Sequence, residues 1–254
     1  MNRLPLKFAL SALLVALIVP TATRTVTAQQ NADQIVEKHI AAIGGRDALA
    51  KIKSRKATGT ATISVQGMDL SGPIETYHQA PNMQRLYITL DLSAMGAPEP
   101  MVLDQRFDGT AGWTLNSMQG DQPMTGAQLE NMKTSTFPTP MLTYKENGTA
   151  ITVLPNETVA GKSLVVLQVA PKTGTTSKVY LDPETYLVVR SVAKVDTPEA
   201  GQIEQVSEPS DYRVVDGVKV PFKVVQSNPM QTVTFVLKTV EHNLTLDQAM
   251  FKGR

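Results

Sequence analysis

Between residues 178 and 226 the chain reads as a succession of β-strands joined by turns of only a few residues, and this succession limits the fold more than any other feature. Val179-Tyr180-Leu181 runs into Asp182-Pro183-Glu184-Thr185, whose proline at the second position suits a type I turn, and residues 186–195 leave on the far side. Thr197-Pro198-Glu199-Ala200-Gly201 closes that strand and opens another over 202–208, while Asp216-Gly217 separates Tyr212-Arg213-Val214-Val215 from residues 218–225. Strands so close in sequence pair antiparallel in one continuous sheet.

The rest of the chain extends the pattern. Asn31 with Gln34 three residues on resembles a capping box, and Ile35, Val36, His39, Ile40 and Ile43 fall on one helical stripe that ends at Gly44-Gly45. A second short helix over 47–53 presents Leu49 and Ile52, so the two helices together are expected to cover one face of the sheet. Ala57, Ala61, Ile63 and Val65 alternate with Thr58, Thr60, Thr62, Ser64 and Gln66, and Leu86, Ile88, Leu90 and Leu92 alternate with Arg85, Tyr87, Thr89 and Asp91. Both are half-buried strands. Between them Gly72-Pro73 interrupts a weaker strand, which suggests an edge or a bulge. Further strands are expected over 101–107, at Gly112-Trp113-Thr114-Leu115, over 150–154 and 164–170 with Asn156-Glu157 and Gly161-Lys162 as turns, and over 232–240. Thr125 is placed to cap a short helix from Gly126 to about Ser135, with Gln128 in the reciprocal position, and a last helical turn is expected over 246–251. The total is about eleven strands. The fold class is mainly β with short helices.

Residues 1–28 read as a cleavable export signal: basic Arg3 and Lys7, an apolar run over 8–19, then small and polar residues to Ala28. Twelve apolar residues fall short of the roughly 20 that span a bilayer. Residues 29–254 are then one domain, and its expected place is the bacterial periplasm, not integral to the membrane once the signal is cleaved. The absence of cysteine excludes disulfides, thiolate metal sites and a lipidated cysteine. Of 24 basic residues three lie in the leading segment, leaving 21 against 23 acidic ones, a balance with no basic footprint for nucleic acid.

Motifs of catalysis are not found. His39, His78 and His242, the only histidines, have no spacing suited to a shared metal and read as polar residues on helix and strand surfaces. No nucleophile elbow, phosphate loop or dinucleotide fingerprint occurs, and Glu204 with Glu208 reads as a solvated strand edge. The expectation is a protein that is not an enzyme and has no cofactor. Two features stand out instead. Seven of the eleven methionines fall between Met83 and Met141, and a flexible, polarizable side chain suits a surface that accepts apolar ligands, or simply fills a core. Strands such as 164–169 and 233–237 are apolar on both faces, as in a sheet with helices on one side and a cavity on the other, or in the middle of a sandwich.

Ala41-Ala42-Ile43-Gly44-Gly45 with Ala48-Leu49 and Ile52-Lys53-Ser54, the Asp108-Gly109-Thr110-Ala111-Gly112-Trp113 turn, Tyr180-Leu181-Asp182-Pro183-Glu184-Thr185, and Asp211-Tyr212-Arg213 with Asp216-Gly217-Val218-Lys219-Val220-Pro221-Phe222 stand in an order that resembles bacterial outer-membrane lipoprotein-sorting proteins of the LolA-like superfamily. The resemblance implies a curved, incomplete antiparallel β-barrel of about eleven strands closed by short α-helices, holding the acyl chains of lipoproteins or lipids. It also implies an arginine inside the barrel that bonds to the lid helices; Arg85, Arg106 and Arg190 are weighed for that position, and the motifs do not choose among them. The expected role is a periplasmic carrier or binding protein for an acylated or apolar ligand, the alternative a non-catalytic envelope module that docks a protein partner through a free sheet edge. The expected apolar wall comprises Ile63, Val65, Leu86, Ile88, Leu90, Trp113, Met118, Met124, Met132 and Met141. The stretch 95–141, least able to form regular ladders, is expected to cover the cavity mouth and to move when an acyl chain enters.

Overall fold

The meander runs through the whole described chain, residues 23–197 and 201–253 of this computed structural model. In order, α1 (Thr23–Ala42) and α2 (Arg46–Lys51) precede β1 (Ser54–Val65), β2 (Met68–Gln79), β3 (Met83–Leu90), β4 (Met101–Phe107), β5 (Gly112–Asn116) and β6 (Gly120–Pro123). After α3 (Gly126–Thr134) come β7 (Ala150–Val159), β8 (Lys162–Ala170), β9 (Ser177–Leu181), β10 (Val188–Thr197), β11 (Gly201–Val215), β12 (Val218–Ser227) and β13 (Thr232–His242). All thirteen form one antiparallel sheet in the order β6-β5-β4-β3-β2-β1-β13-β12-β11-β10-β9-β8-β7. First and last strands pair in its middle, so β6 and β7, neighbours in sequence, are its two free edges. The sheet is a curved, unclosed barrel, and the connection that carries α3 runs from one edge to the other.

The thirteen strands differ from the expected set in three places. β6 is exposed along its whole length and has no apolar alternation to betray it, and its ladder with β5 makes residues 112–123 a regular hairpin instead of irregular chain. The two strands expected over 202–215 are in fact one, β11, with Asp211 in the left-handed region. Asn156-Glu157 is not a turn: it lies inside β7, where the register with β8 shifts between Leu154 and Glu157. The export-signal reading falls on residues 1–22, outside the described residues, and on Thr23–Ala28, where α1 has already begun; Asn31 therefore lies within α1 and not at its cap. No helix of the described residues is long and apolar enough to cross a membrane.

α1 buries Ala32, Val36, His39 and Ile40, with Ile43 just beyond its end, on one face of the sheet, against Ile151, Leu167, Leu181, Val218, Val220 and Phe222, and α2 adds Leu49 with Ile52 just beyond its end. At about 1.5–3 kcal/mol for each fully buried aliphatic side chain, this contact dominates the attachment of both helices. The turn between them must be glycine: Gly44 has φ +132°, and a Cβ there would stand 2.6 Å from the Gly217 carbonyl oxygen, while Lys219 donates its amide to Ile43 O at 2.8 Å. The opposite face of β7–β9 has a small core of its own in Leu164, Val166 and Tyr180, so β8 is apolar on both sides because both sides are covered.

Pro73 is neither on an edge strand nor in a bulge, contrary to the expectation from sequence. It pairs with Thr60 inside the regular β1–β2 ladder, and its missing N–H falls just past the last β2–β3 pair, Ile74 with Ile88. Pro209 lies likewise beyond the β10–β11 ladder, which ends at Ser207, and Pro221 beyond the β12–β13 ladder, which ends at Lys223 with Val236. Three interior strands thus carry proline one or two residues beyond the last pair of one ladder, and at Pro73 the neighbour stays alongside, since Ser71 O accepts the Asp91 N–H at 3.1 Å.

Candidate functional site

Where β12 and β13 diverge, a cavity of about 440 Å³ opens on the face that α1 covers farther along the sheet. Its walls come from β1–β4 (Arg55, Ala57, Ile74, Thr76, His78, Gln84, Arg85, Leu86, Gln105, Arg106, Phe107), from β12 and β13 (Val220, Pro221, Val224, Gln226, Phe235, Leu237), and from Met132 of α3 above. The volume lies in the range of about 300–1,000 Å³ usual for small-molecule sites, and the lining is predominantly apolar with a few polar groups, as such sites require.

Parity puts the wall residues on one side. Leu86 faces Thr76 and Gln105, Ile88 faces Ile74 and Leu103, and Leu90 faces Met101, so the even positions of β3 and the odd positions of β4 share the cavity face. Among the residues expected there, Leu86 and Met132 line the cavity itself. Ile63, Ile88 and Leu90 join Leu86, Ala61, Ile74 and Phe235 in a packed cluster that continues from its apolar end, Ile88 and Leu90 being buried. Val65, at the end of β1, is outside the lining and the cluster. Met124 is buried against Gly112, and Met141 packs under α1. Trp113 turns to the other face, where it lies against Gly253, and Met118, 71 % exposed, points to solvent. The methionine stretch is thus divided among the cavity roof, two packed cores and the surface.

The roof is α3 and the segment after it. α3 buries none of its residues, and its Thr125 makes no side-chain cap, so the expected capping box is absent. The helix is held from its flanks: Asn82 donates to Lys133 O at 3.3 Å on one side, and Asn131 bonds Thr175, in the β8–β9 connection, on the other. Gln84 on β3 donates to Met132 Sδ from below. Behind the helix Phe137 stacks on His78 with ring centroids 5.6 Å apart and lies under the Arg55 guanidinium at 5.1 Å.

Three arginines, Arg55, Arg85 and Arg106, are among the residues that line the cavity, and sequence reasoning did not select Arg55. The three arginines weighed from the sequence are each paired with a carboxylate. Arg85 and Arg106 both pair with the buried Asp104 carboxylate, at 2.8 and 2.6 Å, and Arg190 pairs with Glu208 at 2.7 Å. Arg55 donates Nε–H to His242 Nε2 at 3.1 Å, and His242 Nδ1–H reaches Asp216 at 3.0 Å, which fixes the imidazole as a neutral relay. Desolvation lowers Arg55 to a pKa of about 10 and, with the nearby Arg55 charge, His78 to about 4; burial and Arg55 also push His242 below its ordinary value. His39, buried under α1, contacts Tyr186 O through Nδ1 at 2.8 Å, and desolvation lowers it too. The histidines are therefore not the surface groups that their spacing suggested. The His242 side chain is 1 % exposed, and His78 Nδ1 is shielded from solvent without a hydrogen-bond partner among the described residues.

No protein-family model matches the chain, and no curated protein matches it in sequence. Solved structures do. A DUF1329 family protein from Desulfovibrio piger superposes with a TM-score of 0.57 at 12 % identity, over 89 % of this chain and 97 % of its own. A LolA superfamily protein from Nitrosomonas europaea gives 0.57 at 10 % identity, over 87 % and 97 %, and a putative outer membrane lipoprotein-sorting protein domain from Vibrio parahaemolyticus gives 0.56 at 10 %, over 88 % and 97 %. Agreement along nearly the full length of each of these chains, together with the open sheet and its helical covers, establishes that this chain has the LolA-like fold.

Proposed function

We propose that the protein is a periplasmic carrier or binding protein that takes the acyl chain of a lipid or lipoprotein into the cavity beneath α3. One observation carries this reading: a largely apolar cavity lies in the curve of the sheet under a helix that buries no side chain of its own and is tied down by a few polar bonds. Such a helix can lift without exposing a core, which an apolar ligand entering from solvent or from another carrier requires. The likeness to a lipoprotein-sorting domain supports the same class of ligand. The roles of Ile63, Ile88 and Leu90 are to form the firm end against which the chain stops, and that of Leu86 and Met132 to contact it.

Uptake of a fluorescent fatty acid tests this. Leu86→Trp, which fills the cavity from its wall, should reduce uptake at least about tenfold, whereas Thr62→Lys, on the opposite face where Thr62 bonds Ser71, should leave it unchanged. Equal uptake by both variants would place the ligand elsewhere. Native mass spectrometry of the protein purified from the cell envelope should find lipid bound. The second reading, a module that docks a protein through a free edge, has β6 in its favour, exposed from Gly120 to Pro123 at the end of the sheet. It takes first place if no lipid copurifies and no fatty acid is taken up.

A further inference from the structure

The charged and imidazole groups of the cavity are gathered at one end of it, while Thr76 and Gln105 line its middle and Gln226 its other end. In register, His242, Arg55, His78 and Gln84 form a single row across β13, β1, β2 and β3. Two rows farther along the strands the same positions are Leu237, Gly59, Ile74 and Ile88, and beyond them Phe235 and Ala61. The cavity therefore has a cationic, hydrogen-bonding end under Phe137 and an apolar end that leads into the packed cluster.

At the polar end the charge has no direct counter-charge. Among the described residues Arg55 makes one side-chain hydrogen bond, through Nε, to a neutral imidazole; the Asp216 carboxylate reaches it only through that ring. Both terminal nitrogens of the guanidinium remain for another partner, in the planar fork that matches an oxyanion. Beside it His78 Nδ1 is shielded and unpaired, and in the tautomer that carries its proton there it is a further donor. A half-buried cation and an orphaned ring nitrogen in an apolar cavity are unfavourable unless an anion completes them.

We propose that Arg55 and His78 form a head-group subsite for an anionic amphiphile, so that a single acyl chain binds with its carboxylate or phosphate oxygens on the Arg55 guanidinium and its tail along Ile74, Leu86 and Phe235. This rests on the carrier reading above and sharpens it from any apolar ligand to one with a charged head of fixed orientation. The His242–Asp216 pair holds the guanidinium in place from behind, and Phe137 closes over the head.

Calorimetric titration of the purified chain with dodecanoate, dodecyl phosphate and dodecanol tests the subsite. The wild type is expected to bind at least one of the two anions about tenfold or more tighter than the alcohol, since the charge-assisted bonds are made only by the anions. The better of the two identifies the head group. Arg55→Gln should abolish the difference and leave dodecanol affinity within about twofold, and Arg55→Lys, which keeps the charge without the fork, should keep part of it. Equal wild-type affinity for all three compounds, or an anion preference that survives in Arg55→Gln, overturns the subsite and leaves the carrier reading standing. Binding of none of the three overturns both. The wild-type comparison stands even where Arg55→Gln does not fold.

Discussion

Asn131 holds Thr175 by both ends of its amide: Oδ1 accepts the Thr175 backbone N–H at 2.7 Å, and Nδ2 donates to Thr175 Oγ1 at 3.0 Å. This pair ties the exposed helix α3 to the far edge of the sheet, and Gly174 leaves room for it, since a Cβ there would stand 2.6 Å from Asn131 Oδ1. Asn131→Ala should therefore free the helix without touching a core. Amide exchange over residues 126–134 should quicken about tenfold or more, while the melting temperature changes little, because each lost bond contributes about 1 kcal/mol locally. A fall in melting temperature as large as that of a core variant would show that α3 belongs to the cooperative unit.

Asp104, on the face away from the cavity, has a fully buried carboxylate between Arg85 and Arg106. Burial pushes its pKa up, but the two guanidinium groups outweigh burial and hold it below the ordinary value. Asp104→Ala leaves two partly buried cations without their anion and should cost about 3–5 kcal/mol in urea unfolding. Since Arg106 also donates to Lys252 O, the variant should loosen the C-terminal segment first, seen as faster proteolysis there.

Stability should decline in mild acid because of buried neutral imidazoles. His78 titrates near 4 in the folded protein and near 6.5 when unfolded, so between these values the unfolded chain binds more protons and stability falls as pH falls. His39 and His242 are shifted in the same direction. The melting temperature should be steady above about pH 7 and drop through the window from about 6.5 to 4, and His78→Gln should make that slope shallower. Parallel profiles for the two proteins would mean that His78 is not held neutral.

Gly44→Ala combines a left-handed backbone with a clash on the Gly217 carbonyl and should lower stability by about 1–3 kcal/mol in thermal melts. Gly45→Ala, with nothing within 4 Å of its added carbon, should cost less although its φ is also positive. Equal losses would show that backbone strain alone, and not the approach to β12, sets the requirement at Gly44.

The meander and the parity of β1 and β3 were readable because one face of each strand is buried and a period of two leaves no second solution. The α1 stripe was readable for the same reason at a period near 3.6, with Val36, Ile40 and Ile43 buried as the spacing requires. The site was less so. Arg55 stands in Ser54-Arg55-Lys56, which as sequence is only the polar start of a strand, and its partners His78 and His242 come from β2 and the far end of the chain. Cross-strand register brings them together, and no local spacing encodes it. Composition also misled at Met118, where clustering with other methionines suggested a ligand surface although the residue sits in the β5–β6 turn. Only the strand ladders separate its environment from that of Met132.

Pro221 gives the barrel a seam. On the far side of the Lys223–Val236 pair, β12 is laddered only to β11 and β13 only to β1, so the six strands from β12 to β7 and the seven from β13 to β6 are two plates joined by the five pairs from Lys223 to Ser227, by the core under α1 and, at the other end of the seam, by the His242–Asp216 bond. Between those joins no ladder hydrogen bond crosses the seam at the cavity, and Pro221 has no N–H to offer there. At the cavity the two halves of the sheet are therefore held to each other by side chains and helices and not by a strand ladder, with α3 reaching from Asn82 of the β2–β3 turn on one half to Thr175 of the β8–β9 connection on the other.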